Sequence, residues 1–225
     1  MFYPAMRLPG INAHGYSLLF FRDTRLPLAA VDADDKFKAG GASVELSFWN
    51  LGRLLSAGIR REVPWFDPHL HGAGYWCWKP FIMLRELESL QEGDYLLYTD
   101  AGRPPGTLFR HSVQPLVQWL EEKGQDILPG VNISYYTGDL SRWCKQSVFD
   151  ALNLDIRDFE HSPLIQPTPC FLKKSEESVR ILREWMELCR QFSLVSSPTP
   201  EEKAAAVTIL RTIRMTRRCG RLLRP

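Results

Sequence analysis

The stretch from Gly72 to Gly102 constrains the fold more than any other. It reads Gly72-Ala-Gly-Tyr-Trp-Cys-Trp-Lys-Pro80, then an apolar-faced segment, then Gly93-Asp-Tyr-Leu-Leu-Tyr-Thr-Asp-Ala-Gly102. Gly72 and Gly74 allow the backbone to bend or to approach a ligand closely. Tyr75, Trp76 and Trp78 set three large rings beside them. Pro80 suits the first position of a helix, where a missing N–H costs nothing. Phe81, Leu84, Leu87 and Leu90 then recur at helical spacing. Gly93-Asp94 marks a turn, and Tyr95 to Thr99 reads as a short apolar strand of the kind buried in a parallel sheet. Asp100 ends that strand, where open α/β sheets place their ligand sites.

Around this centre the chain alternates strand and helix signals. Tyr16 to Phe21 is a predicted first strand, followed by Arg22-Asp23-Thr24-Arg25. The loop after the first strand of such a sheet often touches a nucleotide, so Asp23 and Arg25 are candidates for base or ribose contacts; a solvated turn explains them equally well. Asp32 to Gly41 reads as a loop. Ser43 can cap a helix with Val44, Phe48, Leu51 and Leu55 on one face and Gly58 at its end. Ile59 to Val63 then reads as a strand, completing a β-α-β start that favours a parallel sheet. His69 and His71 form a pair without a third ligand nearby, a weak metal signal, and a loop role is favoured.

Beyond Asp100, Arg103-Pro-Pro-Gly106 is a loop, and 112–123 a helix with Val113, Leu116 and Leu120 inward and Gly124 past its end. Val131, Ile133 and Tyr135 alternate as a strand does, and 141–152 reads as a helix starting near Trp143 and Lys145. Leu164 to Leu172 is a strand broken by Pro167 and Pro169, hence an edge strand or an irregular one. Ser175 caps a strong helix running to about Phe192, with Val179, Leu182, Met186 and Cys189 on one face.

Charge is uneven. The last 15 residues hold six arginines and no acid, leaving residues 1–210 with 22 basic and 26 acidic groups, a net of −4. The body is therefore not expected to bind nucleic acid. The 204–224 segment reads as a basic helix for an anionic membrane surface or nucleic acid, or as a poorly ordered terminus, the reading preferred. The five cysteines are scattered and odd in number, which points to reduced thiols and a cytoplasmic location. Leu18 to Phe21 is too short for a signal peptide or a membrane span.

The two halves of the 72–102 stretch resemble glycosyltransferase-like proteins of the GT-A, nucleotide-diphospho-sugar transferase type. One subgroup of these has a G-x-G-Y-W-x-W-K-P loop followed by G-D-x-x-x-Y-x-D-A-G. The likeness is specific over 72–102, collinear but weaker from Tyr16 to about Phe192, and lost after Pro200. It implies one α/β domain over residues 1–200, with a central mostly parallel sheet and helices on both faces, and a separate basic tail over 201–225. It implies glycosyl transfer from a nucleotide-diphospho-sugar donor to an acceptor that the sequence does not identify. Asp100 would hold Mn²⁺ or Mg²⁺ on the donor diphosphate, and Lys79 would contact that diphosphate. Gly74, Trp76 and Trp78 would border the donor, the two indoles stacking on sugar or base unless they serve as core. The alternative for Asp100 is a turn-former bonding local N–H groups.

Three departures bear on catalysis. The family's usual D-x-D is here Asp100-Ala-Gly102, without a second carboxylate. Gln166-Pro-Thr-Pro-Cys170 replaces a Gly-containing turn, and no histidine follows His161, where the family carries a His and Asp-Gln segment. Asp139 and Glu160 are the candidate general bases, neither singled out by a motif, and the altered C-terminal part makes a non-catalytic domain of this type, binding a sugar nucleotide or a protein partner, the alternative. A dinucleotide fingerprint lacks its third glycine, and no G-x-S-x-G elbow occurs.

Overall fold

The computed structural model describes residues 5–6, 8–9, 15–21, 45–100, 114–131, 144–159, 165–200 and 202. The expectations for Asp23, Arg25, the 32–41 loop, the 103–106 loop, Asp139, Trp143, Glu160 and the basic helix of the tail lie outside the described residues. The chain divides into two compact units, 1–130 with 166–190 and 131–165 with 191–225.

Among the described residues seven strands form one sheet: β1 (Ala5–Met6), β2 (Leu8–Pro9), β3 (Gly15–Phe21), β4 (Glu45–Trp49), β5 (Tyr95–Asp100), β6 (Ile127–Val131) and β7 (Ile165–Lys173). Their order is β1-β4-β3-β5-β7-β6, with β2 pairing β3. The helices are α1 (Leu51–Ser56), α2 (Ile59–Glu62), α3 (Trp78–Ser89), α4 (Gln114–Lys123), α5 (Gln146–Ala151), α6 (Glu176–Arg190) and α7 (Phe192–Val195).

The protein is thus α/β, but the sheet is mixed where a mostly parallel one was expected. β3 is parallel to both β4 and β5, whereas β1, β2 and β7 run antiparallel to β4, β3 and β5. β5 sits at the centre. Its Tyr95, Leu96, Leu97 and Tyr98 are all buried, as in a strand covered on two faces. Tyr95 and Tyr98 are three residues apart and so face opposite sides. The Tyr98 ring lies 5.7 Å from the ammonium of Lys79 on α3, while the Tyr95 hydroxyl donates to Glu121 on α4. Helices therefore cover both faces of this strand, as expected.

Four local readings are corrected. Residues 45–49 form a strand, because Glu45-Leu-Ser-Phe-Trp49 alternates and pairs β3 in register; the two-residue period overrides the helical one. The helix begins only after Asn50, whose side chain accepts from the Arg53 N–H at 2.6 Å. Ile59 to Glu62 is helical: Val63 N–H reaches the Ile59 carbonyl at 2.7 Å, and both residues are buried one turn apart. β7 is an interior strand. Its pairing with β5 runs from Cys170 to Lys173, so both prolines fall beyond the ladder that they would break. On α4, Leu120 is buried but Leu116 is exposed.

α3 and α6 pack together. Ser175 caps α6, accepting from the Ser178 N–H at 3.1 Å, and Val179, Leu182, Met186 and Cys189 line its buried face. On the outer face Arg180 pairs with Glu177 and Glu184, which raises the pKa of the guanidinium. In the second unit Phe149 and Ile156 form a small core with Cys144 and Phe159 against it. Lys145 there donates to the Ser193 carbonyl at 2.5 Å and lies 3.3 Å from Glu202.

One buried carboxylate joins α3 to the edge of the parallel strands. Glu86 accepts from the Trp49 indole at 2.6 Å, from Arg53 at 3.0 Å and from the Ser47 hydroxyl, and Arg53 also lies 4.2 Å above the Trp49 ring. Glu86→Ala is expected to cost about 2–3 kcal/mol, mostly from stranded Trp49 and Ser47 donors, since the Arg53 side chain is 46% exposed and its charge screened. Urea unfolding measures this, and a loss below about 0.5 kcal/mol would mean that water replaces the carboxylate.

The buried thiols give a pH prediction. Burial pushes Cys170 up to about 12 and raises Cys144. In the unfolded chain such thiols ionise near 9.0. Their contribution to stability is therefore intact below about pH 9 and is lost as pH rises toward about 12. The melting temperature should hold to pH 9 and then fall, less steeply in Cys170→Ala. An unchanged slope in that variant would show that the thiol ionises as freely folded as unfolded.

Candidate functional site

The Gly72–Pro80 stretch folds as a left-handed turn. Gly72, Ala73, Gly74, Tyr75 and Trp76 all have positive φ, at 59°, 52°, 91°, 51° and 58°. Three of them carry side chains, and each non-glycine residue held there costs about 1–2 kcal/mol. Something must hold the turn. The Trp76 N–H donates to the Gly72 carbonyl at 3.2 Å, and the Trp78 indole N–H donates to the same carbonyl at 3.1 Å. A Cβ on Gly72 would stand 2.4 Å from the Trp76 indole, and one on Gly74 would stand 2.7 Å from the Phe66 ring. The two glycines are therefore required both by their φ and by the rings seated on them.

The turn sorts the three aromatic residues. Trp78 is buried, and its N–H is committed to the turn. Tyr75 is half-buried beside His71, with ring centroids 6.1 Å apart. Trp76 stands out at 43% exposed, its indole over Gly72 and the His71 ring against it edge-on at 4.8 Å. An exposed indole braced from behind is a surface on which a ring can stack. His71, read from the sequence as half of a weak metal pair, is this brace; no pattern in the sequence marks that role.

α3 starts directly after the turn, with Pro80 as its third residue and not its first, still within the first turn, where its missing N–H forfeits no helical bond; the Lys79 N–H before it donates to the Trp76 carbonyl at 2.9 Å. Cys77 provides no side-chain cap, and the first turn contains no acid. Lys79 sits in that turn, 4% exposed, with its ammonium 5.4 Å from the Trp78 ring and 5.7 Å from the Tyr98 ring. Tyr98 lies two residues before Asp100. The resemblance implies that Lys79 and Asp100 converge on one diphosphate. The Tyr98 contact brings the start of α3 to the carboxyl half of β5. Tyr98 was the residue that sequence reasoning passed over; its place two positions before the strand-end aspartate was the available signal.

The sheet converges on the same edge. Trp49, Phe21 and Asp100 are in register across β4, β3 and β5, so three parallel strands end together. The chain passes from β3 to β4 on one side, then returns to β5 on the other. The strand order therefore reverses at β3, the arrangement that opens a crevice at the carboxyl ends of an α/β sheet. Asp23 and Arg25 follow Phe21 by two and four residues. Among the described residues, no three His, Cys, Asp or Glu gather as metal ligands would, and no helix is long and apolar enough to cross a membrane. Comparison with family models, curated proteins and solved structures gave no match to this chain.

The left-handed turn makes a prediction of unusual sign. Ala73→Gly, which destabilises a right-handed helix, should here stabilise by about 0.5–1 kcal/mol, because glycine removes the Cβ penalty at φ 52°. Gly74→Ala should destabilise by more than about 1 kcal/mol through strain and the Phe66 contact. Denaturant midpoints compare the two, and a destabilised Ala73→Gly would overturn the left-handed assignment.

Proposed function

We propose that this protein binds the diphosphate of a nucleotide-diphospho-sugar at the carboxyl edge of β3 and β5 and transfers the sugar to an acceptor, as a domain of GT-A type. One observation carries the reading: the acid-free start of α3, with Lys79 in its first turn, lies beside Tyr98 where the strand order reverses. An ammonium and the positive end of a helix dipole attract anions, and a crevice at reversed strand order is where phosphates bind on such sheets. Lys79 would hold the diphosphate. Asp100, at the strand end, would hold Mn²⁺ or Mg²⁺ together with diphosphate oxygens, and the metal would offset charge on the leaving diphosphate. Asp23 and Arg25 would meet the nucleoside, and the exposed face of Trp76 would stack on a base or sugar ring.

The 72–102 resemblance supports this reading. The second reading, a domain that binds the sugar nucleotide without turning it over, is kept by the C-terminal part, where no histidine follows His161.

A thermal-shift panel of nucleoside diphosphates, with and without Mn²⁺, tests binding, because a ligand of the native state raises the melting temperature. Calorimetric titration then assigns roles. Asp100→Ala should abolish the Mn²⁺-dependent part of binding while leaving the melting curve nearly unchanged. Lys79→Ala should weaken diphosphate binding by about 1–3 kcal/mol. No shift with any nucleotide would sink the proposal, and unfolding of Asp100→Ala would make that residue structural. Release of free nucleoside diphosphate from a sugar donor separates the transferase from the binding domain.

A further inference from the structure

Cys77 is the residue of the turn with no part in diphosphate binding. It closes the left-handed segment, its N–H donating to the Gly74 carbonyl at 3.1 Å, and its side chain is fully buried. The buried group that it meets is Cys189, at the carboxyl end of α6, 112 residues away in sequence. The Cys77 thiol lies 4.0 Å from the Cys189 carbonyl oxygen, and the neighbouring Cys77 together with burial raises the pKa of the Cys189 thiol. Both sulfurs are reduced. The two cysteines are thus buried neighbours, one on the turn and one on the helix that packs against α3.

We propose that Cys77 and Cys189 form a redox clamp: a two-electron oxidant of the peroxide class joins them as a disulfide that fastens the left-handed turn to α6. Peroxide oxidises one thiol to a sulfenic acid and leaves as water. The second thiol displaces a second water from that sulfur, so two thiols and one peroxide give one disulfide and two waters. The neighbouring Cys77 and burial raise Cys189, so its thiol gives up its proton only as it attacks the sulfenic sulfur, the proton leaving with the hydroxyl as water. Entry of the oxidant requires the turn to open locally, since both thiols are buried. The ring closed by this bond spans more than 100 residues, the range in which a cross-link restricts the unfolded chain most.

The clamp does not rest on the transferase reading, and its test uses no nucleotide. The purified full chain is treated with hydrogen peroxide, quenched with an alkylating agent under denaturing conditions, and digested with trypsin. Cys77 falls in peptide 62–85, because trypsin does not cut before Pro80, and Cys189 falls in peptide 184–190. The expected product is these two peptides joined, two hydrogens lighter than their sum. The intact protein should melt about 5–10 °C higher, reversed by dithiothreitol. Cys77→Ala and Cys189→Ala, each folded by its melting curve, should lose the rise. A link from either sulfur to another cysteine, conversion to sulfinic acid without a cross-link, or full alkylation of both after oxidation would each overturn the proposal.

Discussion

The carbonyl of Gly72 is the point on which the site depends. It accepts from the Trp76 N–H and from the Trp78 indole, and so ties the start of the left-handed segment to its end and to the first residue of α3. Without these two bonds, Ala73, Tyr75 and Trp76 would have little reason to stay at positive φ. With them, Trp76 is turned out to solvent while Trp78 is turned in, although the two are separated by a single residue. The direction of the chain entering α3 follows, and with it the place of Lys79 against Tyr98. Strain of this kind persists only where the surroundings over-determine it, and the rings of Phe66, Trp76 and Trp78 supply that determination.

The two buried charges of α3 divide the work. Lys79 and Glu86 are seven residues apart, two turns along one face of the helix. Glu86 is saturated by Ser47, Trp49 and Arg53, all on β4 and α1, and so serves the fold. Lys79 lies at the other end of that face, beside β5. α3 therefore spans the carboxyl halves of β4 and β5, with β3 between them in the sheet. An anchoring carboxylate at one end fixes the helix, and this in turn fixes how far the ammonium at the other end stands from the strand ends.

The sequence was most legible where one period ruled. The strands Gly15–Phe21 and Tyr95–Asp100 and the helix Glu176–Arg190 came out nearly as expected. Each is long or rich in apolar residues. Residues 43–63 were misread because two periods coincide there. Val44, Phe48, Leu51 and Leu55 make a helical stripe, yet Glu45-Leu-Ser-Phe-Trp49 also alternates, and the ladder with β3 decides between them. Ile59 and Val63 fit a strand as well as one helical turn, and five residues are too few to choose. At the site, the glycines and Asp100 were legible as types. The handedness of the turn was not, because Ala, Tyr and Trp give no sign of positive φ; it emerges only when the Trp78 indole reaches back to Gly72.

A left-handed turn between two chemically demanding neighbours also restricts which residue types fit this stretch. At Gly72 a side chain meets the Trp76 indole, and at Gly74 it meets Phe66. At Trp78 loss of the indole removes a donor from a carbonyl that the turn needs. Cys77 must be small enough to sit wholly buried between the turn and α6. Only Trp76 and His71 face solvent, and only they are free of packing demands on their outer sides. The Trp76 indole serves the turn with its inner face, which lies over Gly72 and is braced by His71, and leaves its outer face to solvent.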